Sequence, residues 1–239
     1  MSGSSEPHPI TGQPVGPPVD EAPARRPAPV SLEGRYGRVE RLHQRHAEAL
    51  WAAVKGHDAI WTYMSYGPLP DFDAFAAWLA GRIKLEDPYS YAVVEPAGNA
   101  VGIATLMEIR PAMRVIEVGH IVYAPALQRT ALGTEAQYLL ARYAFETLGY
   151  RRYEWKCNAL NAPSRRAARR YGFVFEGILR QHMIGKGRSR DTAYYAMLDG
   201  EWPARKAAFE RWLAPENFDA AGKQRVGLSE LNRSPRQGE

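Results

Sequence analysis

Residues 115–148, VIEVGHIVYAPALQRTALGTEAQYLLARYAFETL, constrain the chain most, because an apolar strand runs through a short glycine-containing loop directly into a helix. Val118, Ile121 and Val122 are β-branched and nearly continuous, as in a strand covered on both faces, and Pro125 ends the ladder for want of an N–H. After Gln128-Arg129-Thr130-Ala131-Leu132-Gly133, apolar residues recur at helical spacing from Thr134 through Ala136, Leu139, Leu140, Tyr143, Ala144 and Leu148. Gly149 is placed to terminate that helix. The first amides of such a helix lack internal partners and sit at the positive end of its dipole, which suits a phosphate. The small residues Ala131 and Gly133 would let a ligand reach the backbone. An ordinary strand-to-helix turn is the competing reading. The loop is neither a Walker loop, since no Gly-Lys-Ser/Thr follows, nor the G-x-G-x-x-G of dinucleotide folds.

Around this stretch the chain divides into three. Residues 1–29 collect Pro, Gly and Ser with no apolar period and are expected to form a disordered tail. Residues 30–214 read as one domain, and 215–239 as a polar C-terminal tail. Within the domain, Leu32 to Leu42 holds a first strand or two, and HAEALWAAVK is helical up to Gly56. The aromatic loop HDAIWTYMSYGPLP places Trp61, Tyr63 and Tyr66 together, either as core or as the rim of a binding site. Asp71 is a good N-cap for DFDAFAAWLAGRI. Tyr89 to Val94 and Val101 to Ile109 form a hairpin about the turn at 96–99. Arg152 to Asn158 is a further strand, Asn161 to Ser164 opens a helix ending near Gly172, and Phe173 to Met183 pairs with Thr192 to Leu198 across the polar turn GKGRSR. A helix from Trp202 to Trp212 closes the domain. This alternation predicts an α/β (α+β) sandwich around one mixed, largely antiparallel sheet.

Composition narrows the function. With 239 residues and 45% hydrophobic content, one domain with a sizeable core is expected. The single cysteine, Cys157, excludes an internal disulfide framework, and no run approaches the ~20 apolar residues of a membrane span. The first thirty residues lack the apolar stretch of a signal peptide, so a cytoplasmic location without membrane attachment is expected. The net charge of +5 does not come from residues 215–239, which carry four basic and four acidic side chains. It is densest at Arg165, Arg166, Arg169 and Arg170. That run is either a solvated helix face or an attraction for an anionic ligand, and no nucleic-acid motif accompanies it.

Several motifs now fall in one order. The Q-x-x-A-x-G of Gln128 to Gly133 resembles the acyl-CoA pyrophosphate loop of the GNAT acetyltransferases, with Ala131 where the first glycine is usual. Asn161-Ala-Pro-Ser164, Tyr171-Gly172-Phe173, Glu176-Gly177 and Arg180 resemble the signature of the RimJ/RimL-like branch, which acetylates ribosomal-protein N-termini. The resemblance covers roughly residues 30–200 and implies a GNAT-like fold whose fourth and fifth strands, here 115–123 and 152–158, splay apart to admit acetyl-CoA. It implies that the amides of Gln128, Arg129, Thr130, Ala131, Leu132, Gly133 and Thr134 form the cofactor-binding loop and that Asn161 contacts the pantetheine arm. It also implies a thioester polarised by a backbone N–H of the strand holding Val118 to Ile121, with no metal.

The acceptor would be a primary amine, of a protein N-terminus beginning with Ser or Ala or of a small molecule. Such an α-amine has a pKa of about 7.7–8.0 and is partly neutral at pH 7, so a strong base is unnecessary. Glu117, His120 and Glu154 lie on or beside the splayed strands and are candidates to take the proton, Glu117 first, each with the alternative of an ordinary strand residue. Glu154 joins Trp61 and Tyr63 as an expected acceptor-binding residue. Many GNAT members carry an acid tyrosine seven residues after the motif asparagine, but that position here is Ala168. Ser164 is then the candidate acid, with helix capping as its alternative, while Tyr171 and Cys157 read as core. A monomer or homodimer is expected, and a non-catalytic acyl-CoA-binding sensor or interaction domain on the same fold is the rival expectation.

Overall fold

One sheet of eight strands carries the molecule, whose computed structural model describes residues 5–233. A two-residue-strand hairpin, β1 (Glu6–Pro7) with β2 (Pro14–Val15), precedes it. The sheet contains β3 (Ser31–Glu33), β4 (Arg38–Arg41), β5 (Tyr89–Val94), β6 (Ala100–Arg110), β7 (Val115–Tyr123), β8 (Arg152–Asn158), β9 (Val174–Gly185) and β10 (Arg188–Leu198), in the order β3-β4-β5-β6-β7-β8-β10-β9. Neighbours are antiparallel except β7 and β8, which are parallel. The helices are α1 (Ala47–Val54), α2 (Phe72–Ile83), α3 (Ala131–Arg142), α4 (Ala162–Arg170), α5 (Trp202–Leu213) and the short α6 (Leu228–Leu231). This is the largely antiparallel α/β sandwich expected from the alternation of elements.

Alternation along the central strands divides the core between the two faces of the sheet. Tyr89, Tyr91 and Val93 of β5 pack with Leu139, Leu140 and Phe209 from α3 and α5. Ala92 and Val94 join Leu50, Phe75 and Leu79 from α1 and α2. A parallel pair needs a crossover, and α3 supplies it between β7 and β8. Its residues Leu132 to Ala141 are all buried, polar ones included. The helix begins at Ala131, three residues before the apolar period, because Thr130 caps it through a side-chain oxygen that accepts the Gly133 N–H at 3.0 Å. After Arg142 it widens into a π turn over Tyr143–Thr147, and Gly149 follows in the left-handed region at φ +81°.

Glu135 explains how α3 can be covered on its polar side. The β3–β4 turn wraps its carboxylate, which accepts the N–H of Arg35 at 2.6 Å and of Tyr36 at 2.7 Å. Burial raises its pKa against the opposing pull of these amides.

Three boundaries differ from expectation. The tail expected over 1–29 is docked in its last part: the buried Ala24 donates to Pro111 O, Arg25 to Leu148 O and Ala28 to Tyr143 Oη, while Tyr91 Oη donates to Ala28 O. A segment that straps an existing core needs no apolar period of its own, so its composition concealed it. Residues 215–233, expected as a polar tail, fold back on α5 with Leu228 fully buried. There the Asn217 amide donates to Trp212 O and Val226 O, and Trp212 Nε1 donates to Gln224 at 2.7 Å. Finally, the turn expected over GKGRSR shrinks to Lys186 and Gly187, both at positive φ, since polar residues can continue a strand whose side chains face water.

Removing the Glu135 carboxylate should free two amides of the β3–β4 turn. Glu135→Ala should cost about 1.5–3 kcal/mol in urea unfolding, the range for hydrogen bonds to a charged group. A loss under ~0.5 kcal/mol would mean that the turn holds itself.

Candidate active site

The parallel ladder between β7 and β8 lasts three residues, Val115, Ile116 and Glu117 against Arg152, Tyr153 and Glu154. Beyond it the strands part, and Val118 to Ile121 and Trp155 to Asn158 line a continuous cavity of about 2440 Å3. On its other edge β7 carries one extra residue: Ile103 pairs with Val122 but Thr105 with Gly119. The extra residue is accommodated at His120, at φ +46°, and Thr105 Oγ1 donates to Gly119 O at 2.8 Å. A bulge of this kind breaks the ladder and re-aims side chains beside an open edge. The expected splaying of 115–123 from 152–158 is therefore present in the backbone.

At one end of the gap stands the N-terminus of α3. Gln128, Arg129, Thr130, Ala131 and Thr134 line the cavity, with Gln128 anchored by its Nε2 donating to Tyr123 O at 3.0 Å. Of the loop amides, Gly133 donates to Thr130 Oγ1 and Thr134 to Thr130 O. Those of Arg129, Ala131 and Leu132 have no protein acceptor among the described residues. Leu132 packs into the core rather than the cavity. Gly133 is small for an internal reason: a Cβ there would lie 2.6 Å from Leu127 O. Its smallness serves the fit of α3 on its own loop, which spacing could not distinguish from access for a ligand.

The α4 wall faces this loop. Asn161 caps α4, its Oδ1 accepting the Ser164 N–H at 3.1 Å, so capping belongs to Asn161 and not to Ser164. Ser164 lines the cavity, and its hydroxyl accepts the indole N–H of buried Trp155 at 3.0 Å. Ala168, one turn after Ser164, is fully buried and does not line the cavity, whereas Tyr171 lines it, stacked on Phe209 and tilted against Trp155. Tyr171 thus packs on the core as expected and in addition lines the cavity, because it ends α4 still in helical conformation, two turns after Ser164 on the same face. Of the arginine run, Arg165 is occupied with Tyr195 Oη and Ala159 O, and Arg170 donates to Thr134 Oγ1 while lying over the Trp212 ring. Arg166 and Arg169 are exposed at the cavity wall, joined there by Lys223 and Arg233 of the C-terminal segment.

At the fork itself sits Glu117, buried, with Lys156 Nζ 2.7 Å from its Oε2, an ion-pair distance at an angle poor for a hydrogen bond. Burial pushes its pKa up to about 7, outweighing the attraction of Lys156. His120 is drawn down to about 4 by burial and by the charges of Arg82 and Arg190, so its ring is neutral at pH 7. Tyr66 stacks on that ring and places its hydroxyl 3.1 Å from Nδ1. Tyr63 reaches across the opening to donate to Leu160 O at 3.2 Å.

Two expected site residues leave the site. Trp61 is 2% exposed and packs edge-on against Trp78 and Tyr66 in the α1–α2 core, so it is a core residue. Glu154 pairs with Glu117 on the last rung before the fork but does not line the cavity; Arg110 at 2.6 Å and Arg152 at 2.7 Å hold its buried carboxylate. Tyr66 and Arg170 were expected only as members of the aromatic cluster and the arginine run, while Lys156 and Arg190 were assigned no role of their own. Alternation places Lys156 on the same face as Glu154, but only the β7–β8 register sets it beside Glu117. The other three depend on packing between distant elements.

Comparison with known proteins follows this geometry. Residues 38–174 match the family described as "Acetyltransferase (GNAT) domain". A curated relative, "Putative ribosomal N-acetyltransferase YdaF" of Bacillus subtilis (strain 168), is 30% identical over 109 residues, which span 46% of this chain and 59% of that protein. The crystal structure of a GCN5-related N-acetyltransferase from Brucella melitensis superposes with a TM-score of 0.86 at 47% identity, covering 88% of this chain and 97% of that one. A GNAT-family structure from Chromobacterium violaceum ATCC 12472 gives 0.75 at 42% identity, covering 81% and 100%.

Since Trp61 is core, Trp61→Ala should lower stability by about 3–5 kcal/mol, the usual cost of truncating a buried tryptophan. Its effect on substrate affinities should be no larger for one substrate than for another in whatever fraction stays folded. Thermal unfolding together with KM values checks this, and a stable variant with only an acceptor defect would return Trp61 to the site.

Proposed function

The chain belongs to the GNAT acetyltransferase family, and we propose that it transfers the acetyl group of acetyl-CoA to a primary amine by direct attack in a ternary complex. The acceptor we favour is the α-amino group of a protein N-terminus beginning with Ser or Ala, with small amines as the other candidates. The printed name of the Bacillus subtilis relative supports the N-terminal choice. The observation that carries the reading is the fork: a buried carboxylate titrating near 7 at the point where two strands open beside a bulged, half-unpaired edge.

The residues present fit acetyl-CoA. Three unpaired amides at the start of the 12-residue helix α3 suit its pyrophosphate, and the exposed cations of the α4 wall and the C-terminal segment suit its remaining charge. The open edge of β7 offers backbone N–H groups to the thioester oxygen as negative charge develops there. Glu117, with its pKa near the working pH, accepts the proton that the amine loses as the C–N bond forms and the C–S bond breaks. Lys156 keeps that carboxylate from rising further and holds it toward the cavity. The departing thiolate takes a proton from Ser164 or Tyr171, both on the same wall. His120, neutral and braced by Tyr66, shapes the bulge. The sensor alternative rested on the absence of tyrosine at Ala168, but Ser164 and Tyr171 line the same wall and carry hydroxyls that can serve in its place.

Incubation with acetyl-CoA and a panel of Ser- and Ala-initiated peptides and small amines, read by mass spectrometry, tests the activity. No acetylated product from any of them would sink it.

Two substitutions test the parts. Proline is well tolerated at the first position of a helix and follows an extended residue such as Thr130, at φ −94° and ψ 166°. Ala131→Pro therefore deletes one loop amide with little strain, and acetyl-CoA affinity should fall about tenfold in calorimetry at an unchanged melting temperature. Unchanged affinity would remove the loop from the site.

Glu117→Gln removes the proton acceptor. In the native protein kcat should fall as pH drops through about 7, because the carboxylate is protonated below that value. The variant should lose this limb and about 10²-fold in kcat at pH 8. A limb that persists unchanged would assign it to another group.

A further inference from the structure

The hairpin of β9 and β10 closes the cavity on the side away from α3 and is tied to the segment before α2 by Lys186 Nζ donating to Trp61 O at 2.8 Å. Its ladder slips at this point. Arg190 pairs with Met183 and Thr192 with Leu179, so β9 carries two extra residues, with Gln181 at φ +49°. The slip is held by Asp191, whose carboxylate accepts the Gln181 N–H at 2.7 Å, and by a contact of 3.0 Å between His182 Nδ1 and Thr192 Oγ1. As a result Arg190, His182 and Thr192 all line the cavity.

Arg190 differs from the other cations of the inner cavity. Lys156 is paired with Glu117, and Arg170 has Thr134 and the Trp212 ring. The Arg190 side chain makes no hydrogen bond, ion pair or ring contact among the described residues, and its Nε is sealed from solvent without an acceptor. The carboxylates around the cavity do not serve it: Glu117 is engaged by Lys156, Asp191 by the Gln181 amide, and neither Asp58 nor Glu108, which also line the cavity, forms an ion pair with it. Arg190 shares the lining of this cavity with His120 of the bulge and Cys157 of β8. A planar fork of donors with no protein acceptor, facing a substrate cavity, matches a carboxylate better than any neutral group.

We propose that Arg190 receives a carboxylate carried by the acceptor, so that the protein selects amines with an acidic group close by. A free amino acid and a peptide with Asp or Glu just after its first residue both present that chemistry. The inference rests on the acetyltransferase reading and narrows its substrate class. Coenzyme A's phosphates are assigned to the α3 end, so the role of Arg190 concerns the acceptor alone.

The test compares matched acceptors that differ only in the acid: serine with serinamide, and Ser-Glu with Ser-Gln peptides, each with native protein, Arg190→Gln and Arg190→Lys. Native kcat/KM should favour the acidic member of at least one pair by about tenfold or more, through KM. Arg190→Gln should bring the members within about twofold, Arg190→Lys should retain part of the preference, and the KM for acetyl-CoA should not move. The pair that responds identifies the source of the carboxylate. The proposal is overturned by the absence of preference in the native protein, by a preference that survives Arg190→Gln, or by an acetyl-CoA KM that rises with the substitution. Turnover of every acceptor without preference defeats only the role of Arg190. No turnover from a protein that binds acetyl-CoA in calorimetry defeats the acetyltransferase reading and this inference with it.

Discussion

A parallel ladder that stops after three residues is the constraint on which the rest of the structure depends. Up to Glu117 the two strands satisfy each other, and from Val118 onward each presents an edge to the other without closing on it. An open edge inside a sheet would ordinarily be a liability, since its amides and carbonyls need partners. Here the crossover through α3 leaves β7 at Tyr123 and re-enters at Arg152, and the start of that helix lines the gap between the parted strands. The same crossover that permits parallel pairing thus delivers a helix N-terminus to the end of the unpaired edge.

The fork also sets the electrostatics. Glu117 is the last paired residue of β7, deep enough to be desolvated yet at the boundary of the cavity. Lys156, two residues past the last pair on β8, lies beside it because the strands are only beginning to separate. Glu154, its partner on the same rung, has the same chemistry but two arginines against it, and ties the ends of β6 and β8 together through Arg110 and Arg152. On one rung, then, the two carboxylates differ in their partners and in access to the cavity: Glu117 lines it beside a single lysine, while Glu154 is held between two arginines.

Elements outside the sheet complete the cavity. The C-terminal segment contributes Phe218, Lys223 and Arg233, and is held by Asn217, Gln224 and Asn232 through bonds to α5 and the end of α4. The slipped β9–β10 hairpin brings Arg190 and His182 to the other side. Charge is accordingly uneven around the gap, with an unpaired guanidinium at the end away from the α3 loop.

By itself the sequence determined the elements and the family. The β-branched run at 118–122, the capping Asp71, the helical period after Thr134 and the ordered motifs at 128–133 and 161–180 are local signals, and local signals survive without coordinates. They also pointed to Glu117 and to Ser164, because the position of each follows from a strand or motif already recognised. Tertiary structure alone decided which of two chemically equal side chains faces the cavity. Trp61 and Tyr63 are two residues apart, yet one is core and the other spans the opening. Gly133 looked like an accommodation for a ligand and is one for Leu127 O. Ala168 and Tyr171 are three residues apart at the end of α4, and only the second lines the gap. Lys156 and Arg190 acquire their roles from register, an extra residue in one strand and a slip in another, and register is a property of paired strands that neither strand carries alone.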